Sequence, residues 1–198
     1  AGEGAMKTSQ VGRDLIMDFE GCRLEAYPDP KTGGAPWTCG WGATGPSIGP
    51  GTVWTQEQAD ERFDEHLTLF ENMVNNAITT EITQGMFDAL VSITYNVGPG
   101  GSKKDGIIKL KSGAPSTLLR LVNARDFKGA AAQFERWVSP GSNVERGLLR
   151  RRQAERRVFE SVPAAPIVVA PVAPVAPVVN PFAAFLQWLA GILARRKS

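Results

Sequence analysis

The chain has 198 residues, 42% of them hydrophobic, and a formal net charge of +2. That suits one core-forming domain with an appendage, and so small a charge makes no electrostatic case for a nucleic-acid partner. Two cysteines and a single histidine, His66, stand in no ligand-type spacing, which excludes the ordinary metal-site patterns and leaves no cofactor to expect.

Residues 1–5 read as a cloning remnant ahead of Met6, and residues 6–162 as the folded domain. No signal peptide follows Met6, because Arg13, Asp14, Asp18 and Glu20 interrupt any apolar run. Synthesis in a cytoplasm, with release by another agent, is therefore expected. Thr8 or Ser9 can cap a first helix in which Val11, Leu15, Ile16 and Phe19 form an apolar stripe. Gly21 ends it and leaves Glu20 at its last turn. Short strands are expected over 25–28 and 36–41, joined through Gly33-Gly34, with Asp29 where the first strand ends and Thr38 on the second. Residues 42–53 read as loop.

Thr55 and Gln58 form a capping box for a long helix with Ala59, Phe63, Leu67, Phe70, Val74 and Ile78 on one face. This helix is expected to connect a small lobe to a larger helical one. His66 lies beside that face and reads as structural. The next helix, over 83–95, buries Met86, Phe87, Leu90, Val91 and Ile93, and stops at Asn96-Val97-Gly98 before Pro99. Helices over 117–123, 126–138 and 145–161 complete the lobe, the last two separated by Ser139-Pro140-Gly141. Arg146, Arg150, Arg151, Arg152, Arg156 and Arg157 cluster on the final helix and read as a solvated face.

From Pro163 the composition changes. Prolines at 163, 166, 171, 174, 177 and 181 alternate with Ala and Val, without charge, as in a semi-rigid spacer. Over 182–198, Phe182, Phe185, Leu186, Leu189, Ile192 and Leu193 fall on one helical stripe, ahead of Arg195, Arg196 and Lys197. Such a helix, about 20 Å long, is too short for a hydrocarbon core of roughly 30 Å. An interfacial helix on anionic membrane or lipopolysaccharide is the expectation. Docking on the protein's own surface or on another copy is the alternative.

Glu20 and Asp29, on different elements, are the kind of carboxylate pair that glycoside hydrolysis uses. Taken alone the pair is weak, since Asp29 equally suits a turn and Thr38 an ordinary strand. Cys22 and Cys39 read as buried free thiols, with a disulfide possible if helix end and strand touch. The wording around these residues is more specific. FEGCRLEAYPD, WTCGWGAT, DALVSITYNVG, STLLRLVNARDFKGAAAQFERW and RGLLRRRQAERRVF, in this order from about residue 7 to 162, resemble the phage lysozyme (endolysin) family, glycoside hydrolase family 24.

The resemblance implies an α+β, mainly helical, lysozyme-like fold with a small β-hairpin lobe, and a monomeric muramidase acting on peptidoglycan without metal or cofactor. It implies Glu20 as general acid, Asp29 and Thr38 as holders of the attacking water, and inversion at the anomeric carbon. It puts Asn96 near the acid and Arg151 in an ion pair with it, with Arg146, Arg150 and Arg152 as rivals for that place. One departure is Gly42-Ala43-Thr44, where many relatives carry histidine after the strand glycines; the proline-rich tail is another. Four readings stay open: a lysis endolysin, a virion-borne entry lysozyme, a lytic transglycosylase, and a catalytically dead wall- or membrane-binding protein.

Overall fold

The computed structural model describes residues 4–30 and 32–161. The expected spacer over 163–181 and the stripe from Phe182 to the basic end lie outside the described residues.

Helix α1 (Gln10–Glu20) is capped by Ser9, whose side chain accepts from the Gly12 amide. Thr8 instead donates its amide to Glu71 at 2.8 Å. The helix ends at Gly21, whose φ of 67° suits a residue without a side chain and whose amide returns to the Met17 carbonyl. The buried line runs through Gly12 and Ile16. The expected stripe is corrected at Val11, which is 60% exposed. The close approach is at Gly12 instead, where an added Cβ would come within 2.8 Å of the Asp88 side chain.

Strands β1 (Arg23–Pro28), β2 (Trp37–Gly40) and β3 (Ala43–Thr44) form an antiparallel sheet in that order. Tyr27 opposes Thr38, Thr38 opposes Thr44 and Cys39 opposes Ala43. β1 starts two residues earlier than expected, and part of the supposed loop is a strand. Two residues are too few to show an alternation in sequence, and glycines at 40 and 42, with φ of 61° and 85°, turn the chain back. Ala26, Cys39, Ala43 and Ile48, with Trp37 and Trp54, make a small core here. Both cysteines are free. Cys39 is buried, its thiol 3.3 Å from the Leu24 carbonyl, but Cys22 is only half-buried.

Helix α2 (Gln56–Ala77) opens with both bonds of the Thr55–Gln58 capping box and buries Ala59, Phe63, Leu67 and Val74. Glu71 is buried on the same helix and bonds Lys7 at 2.8 Å, tying down the segment before α1. Helix α3 (Gln84–Val97) is the axis of the larger lobe, with every residue from Phe87 to Thr94 buried. Against it pack α1, α2 and α6 (Glu145–Phe159), while α4 (Thr117–Asn123) packs on α5 (Phe127–Ala131). The helix expected over 126–138 is two pieces. After Ala131 the bonding tightens to three-residue steps, and a 3-10 turn over Phe134–Arg136 follows. That turn carries Phe134 fully inward, its ring 5.2 Å from Phe159. Among the described residues no helix is long and apolar enough to cross a membrane.

Candidate active site

Glu20 is the last residue of α1 and is 20% exposed. Its Oε1 accepts from Arg151 Nη1 at 2.7 Å. Its Oε2 lies against the turn between β2 and β3, where a Cβ built on Gly42 would be 3.2 Å away. A glycine there lets backbone and carboxyl approach directly.

Arg151 is held from behind. Its Nε donates to Glu155 Oε1 at 3.1 Å, and that oxygen also receives Ser92 Oγ at 2.8 Å and Arg152 Nη2 at 3.1 Å. Arg152 reaches Asn96 Oδ1 at 2.9 Å, joining the end of α3 to the same network. The solvated-face expectation is therefore corrected for Arg151 and Arg152, which are 4% and 0% exposed. Burial of two guanidiniums is tolerable because Glu155, itself fully buried, sits between them. Burial pushes the Glu155 carboxyl up, and Arg152 and Arg151 pull it back. Burial likewise draws Arg152 down to about 10, with Glu155 opposing. Three donors converge on one oxygen of that carboxylate.

Glu20, Asn96 and Arg151 line one cleft of about 500 Å³, with Phe19, Arg146 and Arg150. Asp29 and Thr38 are not among its lining residues; the hairpin positions them. The Asp29 amide bonds the Gly34 carbonyl at 3.0 Å, and its own carbonyl accepts from Gly33 at 2.8 Å, closing the loop after β1. Thr38 is half-buried on the central strand, between Tyr27 and Thr44. His66 is not among the cleft-lining residues. Burial, with Arg62 second, lowers its imidazole from the usual 6.5. No group of three His, Cys, Asp or Glu side chains among the described residues could hold a metal.

Sequence reasoning missed the supports. Trp41 donates its indole N–H to Asp60 at 2.7 Å, fixing the Gly40–Gly42 turn to α2. Tyr95 lies close enough to Glu20 for its charge to matter: burial first, then Glu20, push the phenol up to about 12. Glu155 had a legible signal, since it stands four residues after Arg151 and three after Arg152, the spacing at which helical side chains meet.

A three-stranded antiparallel sheet, a long connecting helix and a helical lobe define a lysozyme-like fold. The profile of the family described as Phage lysozyme matches residues 17–155, well over half of the chain, and the chain belongs to this family. It is 37% identical over 154 residues to the endolysin of Bacillus phage B103, covering 78% of this chain and 54% of that protein. The chain thus spans about half the length of that curated relative. With the endolysin of Acyrthosiphon pisum secondary endosymbiont phage 1 it shares 35% identity over 160 residues, 79% of this chain and 99% of the relative. Among solved structures, the muramidase domain of SpmX from Asticaccaulis excentricus aligns with a TM-score of 0.64 at 33% identity, covering 79% of this chain and 99% of that one.

Proposed function

We propose that the chain is an endolysin-type muramidase that hydrolyses the β-1,4 bond between N-acetylmuramic acid and N-acetylglucosamine in peptidoglycan, acting as a monomer at the host wall during lysis. One observation carries this reading: the Glu20 carboxyl stands in the cleft with one oxygen engaged by Arg151 and the other against the Gly42 turn. Because Oε1 accepts the guanidinium N–H, the transferable proton belongs on Oε2. From there it passes to the glycosidic oxygen as the bond to the anomeric carbon breaks. Asp29 and Thr38 hold and activate water on the opposite face of the sugar, which gives inversion. Glu155 braces Arg151, and Arg152, held by Asn96, shares that carboxylate, so that the acid's partner is fixed.

The curated relatives are named endolysins, which supports release for lysis over entry from a virion. Residues 182–198, with their apolar stripe and basic end, support binding to anionic lipid or lipopolysaccharide, and the proline-rich residues before them a spacer. A chain ending at residue 162 then hydrolyses bare wall like the full chain but loses binding to anionic vesicles; equal vesicle binding by both refutes the lipid role. For the enzyme itself, Glu20→Gln keeps the shape of the side chain but has no acid proton. Purified Glu20→Gln is expected to leave permeabilised Gram-negative cells turbid while unfolding within a few degrees of wild type. Substantial clearing by that variant removes Glu20 from the acid role.

A further inference from the structure

The turn that flanks Glu20 Oε2 has little of its own to hold it. Gly40 and Gly42 take φ of 61° and 85°, and a residue without a side chain gives neighbouring elements nothing to grip. Trp41, between them, is the side chain by which the turn can be fixed, and α2 holds it. Its indole N–H donates to Asp60 Oδ1 at 2.7 Å, and the same oxygen receives the Gln56 amide at 2.8 Å, from one helical turn back. The Trp41 ring lies 6.3 Å from that of Phe63, three residues on from Asp60, and the Trp41 carbonyl accepts the Tyr95 hydroxyl at 3.4 Å. A Cβ built on Gly40 would meet that of Ala59 at 3.1 Å, so the turn rests directly on α2. Gln56 also touches the Cys22 thiol, just past Glu20 in the chain, at 3.9 Å. Asp60 is thus tied to both segments that flank the acid.

We infer that Asp60 and Trp41 are positioning residues for the acid: by clamping the Gly40–Gly42 turn to α2 they keep Gly42 against Glu20 Oε2 and so fix the direction in which that oxygen faces the glycosidic bond. The inference rests on the reading of Glu20 as the acid. Arg151 holds Oε1, and a carboxyl held by one oxygen can pivot about that contact. The turn closes on the other oxygen, with a Cβ built on Gly42 only 3.2 Å from it. A turn that slid back by about 1 Å would let water in beside Oε2 and free the carboxyl to swing, and rates fall steeply with such misplacement. A carboxylate suits the clamp, because its bond to an N–H donor is charge-assisted and stronger than that of a neutral amide.

The test uses the full chain and soluble peptidoglycan fragments, with turnover read as new reducing ends well below the unfolding midpoint. Trp41→Phe keeps the ring packing but loses the donor, and Asp60→Ala loses the acceptor. Each should lower kcat roughly tenfold while KM stays within about twofold. The double variant should be no worse than either single one, because both break one bond. Asp60→Asn keeps an acceptor oxygen and should recover most of kcat. A second readout needs no turnover. Glu20→Gln should move the Gly42 amide resonance in NMR spectra when Asp60 and Trp41 are intact, and less than about half as far in Asp60→Ala or Trp41→Phe. Wild-type kcat in either single variant overturns the inference, as do losses that add in the double variant or fall in KM alone. An equal Gly42 response with and without the clamp overturns it too, since the turn would then stay on the acid without α2. A chain that shows the altered response yet turns over no glycan refutes the hydrolase reading alone.

Discussion

Replacing Glu155 by glutamine probes the support behind the acid most sharply. One oxygen of Glu155 receives Ser92, Arg151 and Arg152, and the other lies 2.9 Å from Arg152 Nε. The amide leaves Arg152 without its carboxylate partner, while Arg151 keeps Glu20, and turns an N–H₂ toward a guanidinium. Leaving a buried charge uncompensated costs about 3–5 kcal/mol. In a domain of this size each kcal/mol lowers the unfolding midpoint by about 2–4 °C, so a fall of roughly 6–20 °C is expected. Ser92→Ala removes one donor and leaves the charges balanced, at about 1 kcal/mol and a few degrees. Thermal unfolding at pH 7, followed by far-UV circular dichroism, measures both. Glu155→Gln within 2 °C of wild type, or Ser92→Ala costing as much as Glu155→Gln, would refute the view that this carboxylate, together with Glu20, balances the two buried arginines.

Asp29→Ala and Thr38→Ala should lower turnover more than wall binding; full turnover by Asp29→Ala would point to another base or to a transglycosylase. Gly12→Ala should destabilise by about 1–3 kcal/mol, because the new methyl meets Asp88 at 2.8 Å and Thr8 at 2.6 Å; a midpoint unchanged in denaturant titration would show that α1 and α3 can separate. His66 is the only histidine, so one NMR titration reads it, and its midpoint should fall below 6.5. Between that lowered midpoint and 6.5 the unfolded chain binds more protons than the native one, so stability drops as pH falls through the window. His66→Gln should flatten that dependence, and a His66 midpoint above 6.5 would contradict the burial argument.

Local signals were legible where a residue's role was decided by its neighbours in sequence. Ser9, Thr55 and Thr83 each open a helix, and the apolar face of α2 is read from its spacing. The break after Ala131 was not legible, since an alanine-rich run has no local reason to stop; the inward turn of Phe134 is a tertiary demand. The burial of Arg151 and Arg152 was hidden for a similar reason. A helix with six arginines nearby looks solvated until Glu20 of α1 and Asn96 of α3 are seen to meet it. Glu20 was conspicuous beside a helix-ending glycine, but nothing near it in the chain announces Gly42 against its carboxyl or Trp41 pinned to Asp60.

The most direct measurement is the mass and anomeric configuration of the products released from purified peptidoglycan by the full chain. Hydrolysis with Glu20 as acid and water held by Asp29 and Thr38 predicts muropeptides with a reducing N-acetylmuramic acid end, initially of inverted configuration when read by NMR before mutarotation. A 1,6-anhydro end, lighter by one water, would contradict it.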